Sequence, residues 1–180
     1  MLRITIPAVE QWDEVKQEFI QTKGQTLQLE HSLVSLSKWE SKWNKPFLSK
    51  EAKTHEETLD YIKCMTISQN VDPDVYNYLN SDHIDQINKY IEAPMTATTF
   101  VEDKSGKRNR EIVTSELIYY WMIALTIPFE CQKWHLNRLL TLIRVCNIKN
   151  APPKKMGKKA TASHYAQLNA ARRQQMNTRG

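Results

Sequence analysis

Apolar residues recur along this chain with two different periods, and the change from one to the other marks out its elements. Leu2-Arg3-Ile4-Thr5-Ile6 alternates apolar and polar in the manner of a short strand, which Pro7 ends. Val9, Trp12, Val15/Lys16 and Phe19 fall near a helical stripe, so the spacing predicts a first helix from Val9 to Phe19. Gly24 then breaks the chain. Thr26-Leu27-Gln28-Leu29 alternates again, and the two short strands are expected to pair.

From there the period is helical. Ser32 or Ser35 can cap a helix that carries Leu33, Leu36, Trp39 and Trp43 on one face, stopped by Lys45-Pro46. Thr54-His55-Glu56-Glu57 has the spacing of a capping box and opens a helix through Leu59, Ile62 and Met65/Thr66. Asp72-Pro73 starts a short helix to Leu79. Ser81 begins another with Ile84, Ile87/Asn88 and Ile91 on one side, and Pro94 lies just past its end. Thr96 to Val101 and Arg110 to Val113 read as two arms of a hairpin around Lys104-Ser105-Gly106-Lys107.

Thr114 or Ser115 caps a strongly apolar helix, Glu116 to Leu125, and Ile127-Pro128-Phe129-Glu130 turns a tight corner into a last helix running to about Cys146. Trp134, Leu136, Leu139, Leu140, Ile143 and Val145 give that helix an apolar surface too wide for a one-sided amphipathic helix, so both are expected at the centre of the core. The fold class that follows is mainly α (α+β): a compact helical domain with a small β-hairpin or sheet element and a basic C-terminal tail.

Ala151-Pro152-Pro153 divides a helical globular domain, 1–150, from a tail, 151–180, expected to be flexible. Tyr165, Leu168, Arg172 and Gln175/Met176 form only a thin helical stripe there, suited to folding on a surface. Charge sharpens the same boundary. Lys154, Lys155, Lys158, Lys159, Arg172, Arg173 and Arg179 make the tail +7 with no acidic residue, while the body is −2 within a chain of net charge +5. A near-neutral body with a cationic appendage favours a protein that docks on something over an enzyme for a small molecule. Contact with an acidic surface, with nucleic acid, or with solvent alone all fit such a tail. Lys107, Arg108 and Arg110 add a second basic spot, without a helix-turn-helix, zinc-finger or RNA-binding signature beside it.

Candidate chemistry is sparse. The three cysteines, Cys64, Cys131 and Cys146, are odd in number and widely spaced, as expected of reduced thiols. Cys131 and His135 have a spacing that can present two ligands to one ion, but no further ligands cluster with them, so no metal and no cofactor are expected. There is no G-x-S-x-G elbow, Gly-rich phosphate loop or dinucleotide fingerprint. No apolar signal-peptide core follows Met1, and the apolar run from Leu117 to Leu125 falls short of the ~20 residues a membrane span needs, so an intracellular protein without a membrane partner is expected. Among the five tryptophans, Trp121 and Trp134 read as core, whereas Trp39 and Trp43 suit either core or the rim of a docking groove.

Two blocks carry a resemblance. Thr26 to Leu48, TLQLEHSLVSLSKWESKWNKPFL, and Glu116 to Asn150, ELIYYWMIALTIPFECQKWHLNRLLTLIRVCNIKN, together with the final Thr178-Arg179-Gly180, resemble the tail assembly chaperones of long-tailed bacteriophages. The resemblance spans most of the body and implies a non-enzymatic role in the host cytoplasm. Such chaperones coat the helical tape-measure protein, keep it soluble and help the major tail protein polymerise around it. The segment after Pro153 is similar to a short version of the extension some of them carry, although it matches no recruiting domain and is more basic than that job demands. Docking on helices points to Leu36, Trp39, Trp43, Ile84 and Ile91 as partner-binding residues. The tail residues Lys154, Lys155, Lys158, Lys159, Arg172 and Arg173 are the expected electrostatic contact. The alternative is a structural head–tail junction protein, a connector or neck component contacting nucleic acid. Whether copies of the chain assemble with one another stays open.

Overall fold

The computed structural model describes residues 1–13, 18–100, 112–152 and 158–177. It is mainly helical with a small antiparallel β component, the α+β class expected. The chain divides into two units, Met1–Asn147 and Ile148–Gly180.

The first unit opens with four short strands: β1 (Leu2–Ile6), β2 (Val9–Asp13), β3 (Glu18–Thr22) and β4 (Gln25–Leu29). β1 pairs with β4, as expected, and β2 pairs with β3. The register runs without a slip from Leu2↔Leu29 through Ile6↔Gln25 and Val9↔Thr22 to Asp13↔Glu18, so the two ladders form one long hairpin. It is interrupted where Pro7 lies opposite Gly24. Proline has no N–H to give to a ladder, and a Cβ at Gly24 would meet the Ala8 nitrogen at 2.9 Å. Only glycine leaves room for that close approach.

The helix expected over Val9–Phe19 is therefore corrected to strand at Val9–Asp13 and from Glu18 onward, with Trp12 opposite Phe19 in the register, while residues 14–17 of that expectation lie outside the described residues. Aromatic and β-branched residues are favoured in strands, and the same residues spaced roughly a helical turn apart mimic an amphipathic stripe.

The helices follow: α1 (Leu33–Trp43), α2 (His55–Met65), α3 (Ser81–Glu92), α4 (Ser115–Ala124), α5 (Leu136–Asn150) and, in the second unit, α6 (Lys158–Met176). Short 3₁₀ helices lie at Pro73–Tyr78 and Phe129–Lys133. Their starts obey local capping chemistry. Ser32 and Ser35 cap α1 reciprocally, Thr54 and Glu57 cap α2, Asn80 and His83 cap α3, and Thr114 caps α4. Asn44 ends α1 in the left-handed conformation, at φ 52°. The hairpin expected over Thr96–Val113 has no strand in its described parts, and Val101 to Glu111 lie outside the described residues.

One core joins ribbon and helices. Ile4, Ile6, Leu27 and Leu29 point from the β1–β4 face onto Leu33, Leu36, Ile62, Met65, Ile118, Met122, Leu136 and Leu139, all buried. No described helix is long and apolar enough to cross a membrane.

Candidate functional site

The aromatic residues of α1 were the first candidates for a partner surface, and the structure places them differently from one another. Leu36 is 0% and Trp39 1% exposed, so both are core and offer no surface to a partner. Trp39 donates its indole N–H to the Glu57 carbonyl at 2.9 Å and meets Phe47 edge-on at 5.1 Å between ring centres. Trp43 is half-buried, stacked on Trp39, and donates to the Asp60 carboxylate at 3.0 Å. Lys42 holds the other oxygen of Asp60. The two indoles thus clamp α1 to α2. Helical spacing alone could not separate this from a docking stripe, because a core face and an exposed face show the same period.

The α3 candidates lie elsewhere. Ile84 and Ile91 are half-buried and, with the buried Ile87 between them, form one wall of a cleft of about 240 Å³. Phe47, Tyr61 and Ile62 form its floor and opposite wall. Phe47 and Tyr61 stack at 3.9 Å between ring centres, fixing that floor. The polar lining is Thr58, Asn88 and Lys53. A groove between two helices with apolar walls and a sparse polar rim suits a side chain or helix presented by another protein.

A second apolar surface lies on α4. Tyr120 and Ile123, one turn apart, are 63% and 62% exposed, and Phe129 beyond the helix end is 52% exposed. This helix was expected at the centre of the core; Ile118 and Met122 are buried there, but the side bearing Tyr120 and Ile123 faces solvent. Tyr120 and Ile123 share one side of the helix, and exposed apolar residues grouped on one side mark interaction surfaces.

Cys131 and His135 do not share a helix. Cys131 sits in a 3₁₀ helix and is buried, whereas His135 precedes α5. His135 donates from Nε2 to the Tyr90 carbonyl at 3.0 Å and accepts the Asn137 N–H at Nδ1, at 3.3 Å. Both ring nitrogens are used, which makes it a hydrogen-bonded core histidine. Beside it, His31 lies 5.1 Å away edge-on, with its Nδ1 and the Tyr61 hydroxyl sharing a hydrogen bond of 2.5 Å. Burial, and then the neighbouring His135, lower the His31 pKa to about 3. Burial also lowers that of His135, against its bond to Tyr90. Among the described residues no group of three or more His, Cys, Asp or Glu could hold a metal ion.

In the second unit, Lys158 and Lys159 open α6, and Arg172 and Arg173 stand exposed in its last turns. Lys154, Lys155 and Arg179 lie outside the described residues. Every residue from 162 to 177 is exposed, including Tyr165, Leu168 and Met176. The thin stripe expected there is thus carried on a regular helix.

Sequence reasoning missed two residues. Glu40, outwardly an ordinary helix charge, is buried and accepts from the Phe47 and Ser115 backbone N–H groups. Lys53, in a polar loop, is brought against Phe47 and the cleft. Neither had a spacing signal. Comparison of the chain with family models, with curated proteins and with solved structures finds no match.

Proposed function

We propose that this chain is a non-enzymatic assembly chaperone of bacteriophage tails, working in the host cytoplasm by binding helices of the tape-measure protein and assisting polymerisation of the major tail protein. The observation that supports it is the α2–α3 cleft, whose apolar walls present Ile84 and Ile91 to an incoming helix. A tape-measure protein shows long apolar stripes until the tube closes, and a protein that shields them must cover helices without strict sequence reading. The open side of α4 extends the apolar surface available for this task. The resemblance of Thr26–Leu48 and Glu116–Asn150 to such chaperones supplies the partner's identity.

The test is co-expression of the full chain, of a 1–150 truncation and of Ile84→Asp with the tape-measure protein, followed by co-purification. Retention by both the full chain and the truncation, lost in Ile84→Asp, supports the cleft as the contact. Retention by the full chain alone transfers the contact to the tail. No retention by any form overturns the reading.

A second reading is favoured by the charge of residues 151–180, which carry seven cations and no acid. A head–tail junction protein would stay in the finished particle, close into a ring and bind DNA with a steep dependence on salt. A chaperone would be absent from the particle.

A further inference from the structure

Lys53 stands at the cleft with its ammonium nitrogen 4.3 Å from the centre of the Phe47 ring and 5.9 Å from that of Trp39. Among the described residues it is the one charged side chain in the lining. Its neighbours make an instructive contrast. Lys42 and Lys45 are 59% and 54% exposed, yet each holds a carboxylate, that of Asp60 and of Glu57. Lys53 is more buried than either and makes no ion pair with a described residue. Glu57, the carboxylate whose charge reaches it, is already engaged by Lys45 at 2.6 Å and by the Thr54 N–H at 2.8 Å. Ring faces compensate a cation only in part. Burial accordingly lowers the Lys53 pKa.

Size narrows the occupant. At about 240 Å³ the cleft is smaller than the ~300–1,000 Å³ typical of pockets for small molecules and cofactors. It exceeds the ~150 Å³ apolar cavity that accepts a benzene-sized body. One or two apolar side chains fill it. Two helices form its walls, the arrangement that receives a third.

We infer that the cleft takes an acidic amphipathic helix of a protein partner, seating an apolar side chain between Ile84 and Ile91 while a carboxylate one helical turn away meets Lys53. Residues three or four apart on a helix share a face, so one segment presents both groups at once. The inference rests on the chaperone reading for the partner being a helix, and adds the charge that helix must carry.

The experiment uses the full chain and three stapled helices alike in a Leu pair, with Glu, Gln or Lys one turn away, and follows binding by fluorescence anisotropy. The Glu helix should bind roughly tenfold more tightly than the Gln helix, the scale of a partly desolvated, charge-assisted contact. Lys53→Gln should erase that difference, and Lys53→Glu should reverse it in favour of the Lys helix. Reversal is informative even where Lys53→Gln loosens the local packing. Equal binding of the Glu and Gln helices to the wild type, or a preference that survives in Lys53→Gln, overturns the inference. So does Lys53-dependent displacement by a DNA duplex of about 20 base pairs, which reassigns the cation to phosphate.

The tape-measure co-purification separates the two readings. If it fails while the helix series shows the charge preference, the chaperone reading falls and the acidic-helix site stands. If it succeeds while the series shows no preference, the reverse holds.

Discussion

Glu40 and Ser115, 75 residues apart, are joined by a buried hydrogen bond of 2.7 Å from the Ser115 N–H to Glu40 Oε2. Glu40 Oε1 takes the Phe47 N–H at 2.8 Å, so one carboxylate ties α1 to the loop that floors the cleft and to the start of α4. Removing it strands two buried donors, each at a cost of about 1–3 kcal/mol. Glu40→Ala should therefore lose roughly 2–5 kcal/mol of stability by urea unfolding. Glu40→Gln should lose less, since its amide oxygen still accepts one bond while its NH₂ faces the other donor. A loss in Glu40→Ala of under ~1 kcal/mol would show that these donors find other partners.

Trp39 gives a second expectation. It is enclosed and bonded to Glu57, so Trp39→Ala should destabilise by about 3–5 kcal/mol through lost volume and lost packing. Ile84→Asp, on a half-exposed position, should leave the thermal midpoint within a few degrees and weaken binding of the tape-measure protein instead. The two substitutions side by side separate core from surface. Unweakened binding in Ile84→Asp, or a greater loss of stability in Ile84→Asp than in Trp39→Ala, would contradict the assignment.

The paired histidines make stability depend on pH. His31 is neutral in the folded chain down to about 3, against an ordinary value of 6.5, so between these limits the unfolded chain binds more protons. Stability is then full above pH 6.5 and falls as pH drops towards 3, at up to ~1.4 kcal/mol per pH unit from this group. His135, lowered in the same direction, adds to the slope. Urea midpoints measured from about pH 7 down to about pH 4 should shift steadily lower, and His31→Gln should flatten the dependence. An unchanged slope in that variant would place the acid sensitivity elsewhere.

α6 begins with Lys158 and Lys159 and has no acidic residue in its first turn, which sets two cations against the positive end of the helix dipole. Replacing both with Glu in a 151–180 peptide should raise helicity by circular dichroism, each contributing about 0.3–1 kcal/mol at low salt. The gain should shrink in high salt. Helicity that is indifferent to the exchange would mean the dipole is not what limits this helix.

The legible parts of the fold were those written in local chemistry. Thr54 with Glu57, and Asp72 before Pro73, announce their helix starts within four residues, and the structure has both. The failures are tertiary. Val9, Trp12 and Phe19 look helical until Trp12 is seen opposite Phe19, a pairing set by a register that begins at Leu2↔Leu29. Glu40 and Lys53 look like solvated charges because nothing nearby in sequence reveals that Ser115 and the cleft come to them. Ile84 and Ile91 stood out by spacing, while the wall that faces them, Phe47 and Tyr61, comes from segments more than twenty residues upstream.

The open side of α4 also bears on how the molecule behaves in a concentrated solution. Tyr120, Ile123 and Phe129 face water on a body whose formal charge is only −2. Two such bodies meet with little mutual repulsion, and close contact between those side chains removes apolar area from water. The +7 of residues 151–180 changes that balance, because every collision between whole chains brings like charges together. Light scattering should accordingly show the 1–150 form clouding at concentrations where the whole chain stays clear, with added salt narrowing the gap. That outcome would make the cationic segment a colloidal stabiliser, setting how much of the body can be held in solution at once.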